Sequence, residues 1–166
     1  MIYLLLNLSL ALAWSALSGE FGPTNLLIGL LLGYVVLFIS RRAIGPTDYF
    51  IKVPLAFSFA AYFLRELVLA NLRVAYDVLT PRPHMQPRII ALPLQVRTPA
   101  EITALSYLIS LTPGTLSLDV SADRKVLYIH AMYARDADAL RQELTNGIER
   151  RLLQLMRGRT HPGANA

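Results

Sequence analysis

The chain has 166 residues, of which 54% are hydrophobic and 16% charged, against roughly 45–50% and about 25% in ordinary globular domains. That balance excludes an ordinary soluble domain. The deviation is local: residues 1–40 carry one charge, Glu20, and the rest of the chain has a near-normal charged share, for a net charge of +5.

Met1–Leu17 has no Lys or Arg at its start, and a second uncharged stretch comes almost at once, which argues against a cleaved secretory leader. Met1–Gly19 and Phe21–Ser40 are uncharged stretches of 19 and 20 residues, close to the ~20 that cross a bilayer as a helix. Residues 1–48 are therefore expected to form a transmembrane hairpin, turned at Ser18–Thr24 by Gly19, Gly22 and Pro23. Arg41 and Arg42 come directly after the second span, which places that end in the cytoplasm and the Glu20 turn outside. Gly29 and Gly33 form a small-xxx-small step that lets another helix approach closely. Asn7, Ser9 and Ser15 suit interhelical hydrogen bonds better than ion conduction.

Residues 49–79 are apolar but interrupted by Lys52, Pro54, Arg65, Glu66, Arg73 and Asp77. At about 100° per residue, Tyr62, Glu66, Arg73, Tyr76 and Asp77 gather on the side of Arg65, and Phe63, Leu64, Leu67, Val68, Leu72, Val74, Ala75 and Val78 lie on the other. This predicts an amphipathic helix that either lies in the membrane interface or forms a third span. Spanning would sink Arg65 and Glu66 into lipid at a few kcal/mol each, which favours the interface. Arg73 and Asp77 are spaced for a surface pair. Asn71 falls within the apolar stripe, where its amide is expected either to bond to a neighbouring helix or subunit or to be satisfied structurally with no special role.

Residues 80–87 hold Pro81, Pro83 and Pro87 and read as a linker. Residues 88–156 then spell a small α+β domain of β-α-β-β-α order. Arg88–Val96 alternates Ile90, Leu92, Leu94 and Val96 as an edge or bulged strand, because it contains Pro93. Thr98–Glu101 is a capping box that opens a helix burying Ile102, Leu105 and Ile109. Leu111–Thr115 turns the chain, and Thr115–Val120 and Lys125–Ala131 form a hairpin with Leu116, Leu118 and Val120 expected inside. Asp136 caps a last helix with Leu140, Leu144, Ile148 and Leu152 inward and Arg141, Glu143, Glu149 and Arg150 on the wet side. Residues 157–166 read as a disordered tail. The modest basic excess of this part fits a cytoplasmic place beside anionic lipid.

Catalytic chemistry finds no foothold. The chain has no cysteine, and His84, His130 and His161 show no metal-ligand spacing, so neither a metal site nor a cofactor is expected. Phosphate-binding loops, nucleophile elbows and nucleic-acid-binding signatures are absent from the sequence. Thr112-Pro113-Gly114-Thr115 is its densest motif, open to a docking role or to plain turn chemistry.

Asn7 and Trp14 in the first span, Gly29 and Gly33 in the second, Phe63-Leu64-Arg65-Glu66-Leu67, Ala70-Asn71, Leu111-Thr112-Pro113-Gly114-Thr115 and Leu127-Tyr128-Ile129-His130 occur in that order. In this the chain resembles the E subunits of the Mrp-type (also Mnh or Pha) multisubunit monovalent cation/proton antiporters, up to about Met156. The resemblance implies a bacterial inner-membrane accessory subunit without enzymatic activity, in a complex exchanging Na⁺ or K⁺ for H⁺. Its partners would be the other subunits and membrane lipid, with no nucleic acid. It carries over no catalytic residue; Gly29, Gly33, Glu66, Asn71, Thr112, Pro113, Gly114 and Thr115 are the expected interface positions. Two other readings stay open: a free-standing membrane-anchored module that binds a ligand or ion, and a chain that conducts protons through Glu66.

Overall fold

The computed structural model describes residues 2–44, 48–81 and 85–157. Arg82, Pro83 and His84 of the expected linker, and residues 158–166 of the expected tail, lie outside the described residues. The chain divides into two units, one ending at Pro54 and the other beginning at Leu55.

The first unit is built on a seam of small residues. Helix α1 (Ile2–Ser18) buries Tyr3, Asn7, Ala11 and Ser15, which recur every four residues and so share one face. On α2 (Pro23–Ile44) the buried positions are Gly29, Gly33 and Leu37, again four apart. A Cβ on Gly29 would stand 2.8 Å from the Ala11 Cα, and one on Gly33 would collide with the Asn7 Oδ1. The close approach these glycines allow is therefore to α1 of the same chain, so their room is already filled without another protein. Of the polar residues in α1, Asn7 donates to the Tyr49 hydroxyl at 2.7 Å. Ser9 is exposed, and the Ser15 hydroxyl is fully buried without a hydrogen-bond partner among the described residues.

Helix α3 (Tyr49–Leu79) is 31 residues long and contains Pro54, which removes one helix hydrogen bond near its start. Tyr49 and Phe50 join Tyr3, Tyr34 and Phe38 in an aromatic cluster, beside which Arg41 lies over the Phe38 ring at 4.2 Å. Helices α2, over Pro23–Arg42, and α3 are long and apolar enough to cross a membrane. At 17 residues α1 is shorter, about 25 Å at 1.5 Å per residue.

From Leu55 onward, α3 leads to β1 (Arg88–Pro93), α4 (Pro99–Leu111), β2 (Thr115–Val120), β3 (Val126–Ala131), α5 (Ala137–Leu144), one π-helical turn (Thr145–Glu149) and α6 (Arg150–Arg157). The strands form an antiparallel sheet in the order β1-β3-β2. Its inner face carries Leu92, Leu127 and Ile129, packed with Ile102, Leu105 and Ile109 of α4 and with Ile148 and Leu152 from the last helices. Ahead of β1, Gln86 is pinned to the end of β3 by bonds to Met132 and Ala134.

Four sequence expectations change here. Strand β1 stops at Pro93 instead of reaching Val96, because the Gln95 and Val96 N–H groups are bonded to the Glu149 carboxylate rather than to a neighbouring strand. In β2, Leu116 and Leu118 are about half exposed on the outer face, while Ser117 turns inward. The Ser117 Oγ donates to the Ser106 carbonyl and its N–H to the Ser110 Oγ, so the inner position belongs to the residue that can bond to α4. Glu149 is not wet but fully buried, its carboxylate accepting the Gln95 and Val96 N–H groups at 2.6 and 3.1 Å. Burial raises its pKa, and those two N–H bonds oppose the rise. The π turn inserts one extra residue, rotating the residues after it by roughly 100° relative to a straight helix. Arg157, expected in a disordered tail, ends α6 and clamps the Glu101 carboxylate through two bonds of 2.7 Å.

Glu101 also closes the Thr98 capping box. The Arg157 guanidinium and the Arg97 and Thr98 N–H groups hold its pKa at about 2, below the ordinary 4.5, against the opposing effect of burial. Discounted for solvent screening of the partly exposed Arg157, this contributes on the order of 1–3 kcal/mol of stability, present above the ordinary carboxylate pKa and lost as pH falls towards 2. Thermal unfolding of the detergent-solubilised chain should therefore show a steeper loss of stability below pH 4.5 than the Glu101→Gln variant does. Equal pH slopes would contradict the clamp. In the first unit, Gly29→Ala should lower stability by about 1–3 kcal/mol through overpacking. Gly22→Ala, with nothing within 4 Å of its added Cβ, should change it by less than about 0.5 kcal/mol in the same melts.

Candidate interface sites

Helix α3 beyond Leu55 has two unlike sides. Phe59, Tyr62 and Phe63 pack against the core of the α+β domain, and Ala70 and Asp77 further along are buried. Tyr62 reaches the π turn, where a Cβ on Gly147 would meet its hydroxyl at 2.5 Å. Arg151 lies over the same ring at 4.2 Å. Near the other end, Arg73 stands over the Tyr133 ring at 5.6 Å. The side predicted to be polar thus meets the domain, using aromatic rings as well as charge, and Phe63, expected on the apolar side, packs against the domain core with it.

Between α3 and the domain runs a cleft of about 430 Å³ lined by Glu66, Arg65 and Arg73 from the helix and by Thr112–Thr115, Arg135, Asp136 and Glu143 from the domain. It brings together five of the expected interface positions, Glu66 and Thr112, Pro113, Gly114 and Thr115. Glu66 accepts from the neighbouring Arg65 at 2.8 Å. The charges lining the cleft are of both signs, and among the described residues no cluster of three or more His, Cys, Asp or Glu could hold a metal ion.

Thr112–Thr115 is a turn with a Thr115 N–H to Thr112 O bond of 3.1 Å. Pro113 followed by Gly114 at φ 90° matches a type II turn, whose third position needs positive φ. The threonines finish α4: the Thr112 Oγ1 donates to the Leu108 carbonyl at 3.1 Å, and the Thr115 Oγ1 to the Ile109 and Thr112 carbonyls at 2.6 and 2.9 Å. The motif performs turn and cap chemistry while also forming a wall of the cleft. Its glycine leaves space for Tyr133, whose ring would be 3.2 Å from a Cβ at that position. The Tyr133 pKa is raised, first by burial and then by the Asp77 carboxylate of α3.

The other expected positions lie elsewhere. Gly29 and Gly33 face α1, as described above. Asn71 is exposed on the far side of α3 and donates to the Leu67 carbonyl of its own helix at 2.7 Å, so that amide bond needs no neighbouring helix. The sequence reading missed Tyr62, Gly147 and Tyr133. An aromatic on the polar side of α3 was the available signal for Tyr62.

A family model described as Na⁺/H⁺ ion antiporter subunit matches residues 7–155. The chain is 36% identical to the E subunit of the Na⁺/H⁺ antiporter of Alkalihalophilus pseudofirmus, over 92% of this chain and 96% of that protein. It belongs to the family of Na⁺/H⁺ antiporter E subunits. Among solved structures, a chain of the membrane-bound sulfane sulfur reductase, an archaeal respiratory membrane complex, matches this family member at 26% identity with a TM-score of 0.54. That match covers 90% of this chain and 96% of the other. A chain of the Mrp complex from Dietzia sp. matches at 30% identity and a TM-score of 0.48, covering 62% of this chain and 97% of that one.

For this antiporter family member, Gly114→Ala should destabilise the α+β domain by about 1–2 kcal/mol, because alanine at positive φ is strained and its methyl would press on Tyr133. Urea titration of the purified chain, followed by tyrosine fluorescence, would measure it. An unchanged midpoint would remove the turn from the forces that seat Tyr133.

Proposed function

We propose that this protein is a non-catalytic accessory subunit of a multisubunit Na⁺/H⁺ antiporter in the bacterial inner membrane, contributing to cation transport and to sodium and pH homeostasis by holding the complex together. The observation that carries the reading is the family match across residues 7–155, in a chain whose hairpin holds no charge from Met1 to Ser40 except Glu20 in the turn. Carboxylates that pass protons through a membrane lie within spans and face polar partners. Here the buried glutamates have structural work instead, Glu101 clamped by Arg157 and Glu149 holding two backbone N–H groups. A relative within an archaeal respiratory membrane complex supports a place among other subunits rather than a free-standing binding module.

Arg41 and Arg42 favour the cytoplasm for the end of α2 that carries them, and we place the α+β domain on that side. Glu66, Thr112, Pro113, Gly114 and Thr115 around the cleft are the proposed contacts with partner subunits; Asn71, whose amide is bonded within its own helix, is left out of that set. Gly29 and Gly33 act indirectly, by shaping the hairpin.

The test is purification of the tagged chain from its native membrane in mild detergent. Several hydrophobic membrane proteins should co-elute in fixed proportion, and deleting the gene should deplete the assembled complex. A chain that migrates alone and stable would overturn the reading.

A further inference from the structure

We infer that α3 from Leu55 to Leu79 lies along the membrane surface, its outer side in lipid and the α+β domain on its aqueous side. The inference rests on the membrane location proposed above and deepens it by naming what covers this face.

Four observations carry it. First, the outer side of α3 is a continuous apolar band: Phe57, Leu64, Val68, Leu72, Val78 and Leu79 are 49–84% exposed. Second, the opposite side is occupied by the protein's own domain, through Phe59, Tyr62 and Phe63, so the helix cannot bury its band by rolling over. Third, Tyr62 lies near the middle of α3 and carries Arg151 over its ring. A helix crossing the bilayer would bring that arginine, and the charged cleft beside it, into hydrocarbon, where ionised side chains are strongly disfavoured. Fourth, α3 begins in the aromatic cluster at the Arg41 end of the apolar hairpin, with Tyr49 and Phe50 against Tyr34 and Phe38. It therefore starts at the level where α2 ends.

The margin of the band fits a lipid surface. Arg65, with its side chain 69% exposed, and Tyr76, 61% exposed, lie along one edge, and both residue types place an apolar body in lipid and a polar tip in the headgroups. Asn71, within the band, already has its amide bonded to Leu67, which lowers the cost of its position. A helix with a wide apolar side and basic flanks is the form that lies in the interface plane.

The absence of native cysteine permits a direct test. The full chain would carry single cysteines at Phe57, Leu64, Val68, Leu72 or Leu79, with Leu31 in α2 as a reference, each bearing a nitroxide. Reconstituted into vesicles of phosphatidylcholine and phosphatidylglycerol, each label would be probed by collision with oxygen and with a water-soluble nickel chelate. The α3 labels should report one shallow depth, with oxygen-to-nickel ratios that agree within roughly twofold, as for a helix in the interface plane, and Leu31 should read deep. A profile that deepens to the bilayer centre near Leu64 would overturn the inference in favour of a third span. Free access of nickel along the band, or exclusion of both colliders by a second copy, would overturn lipid as its occupant. A water-exposed Leu31 would overturn the membrane location itself, whereas failure to co-purify with partners leaves the depth profile unaffected.

Discussion

Tyr62 can reach the last helical stretch because the π turn carries no side chain at Gly147, and Arg151 then covers its ring. With Phe59 and Phe63 entering the core beside it, this contact fixes which side of α3 belongs to the domain. The apolar side has no choice but to face outward. The cleft, the seat of Tyr133 beside Gly114 and the position of Glu66 all depend on that one orientation. A straight final helix, or any larger residue at position 147, would remove the seat that makes it possible.

A second constraint works inside the domain. Two glutamates are taken out of water and used as backbone fasteners, one at the start of α4 and the other under the loop that leads to it. They are treated differently by their surroundings. An arginine fork keeps Glu101 charged, while Glu149 has only N–H donors and is pushed towards its neutral form. Both join the segment Gln95–Glu101 to the last helices, so the connection between β1 and α4 is held at two points.

Much of this was legible in the sequence. The uncharged stretches marked the hairpin, Thr98 and Glu101 announced their capping box, and Asp136 capped the helix it was expected to cap. The features that could not be read depended on partners distant in sequence. Leu116 and Leu118 look like core residues by hydrophobicity alone, but the bonding of Ser117 to Ser106 and Ser110 turns them outward, while past the register shift between Ser117 and Asp119 the expected Val120 does pack against the core. The wheel that put Glu149 in water assumed a regular helix, and a π turn is invisible to such a wheel. Likewise, the spacing of Tyr62, Glu66 and Arg73 marked a face of α3 correctly, but spacing does not say whether a mixed aromatic and charged face meets water or a folded domain. Gly29 and Gly33 announced a close helix contact without saying whose helix would make it.

The seam between α1 and α2 has a consequence for recognition. Its polar members Asn7 and Ser15 both point into the hairpin, so the outer wall is composed of side chains such as Leu4, Leu8, Leu12, Leu27, Leu31 and Val35. A neighbour packing on that wall would find no charge to read and few hydrogen bonds to make. Its selectivity would have to come from contour, from how closely its own ridges track the furrows between leucines, which makes the hairpin a surface recognised by shape.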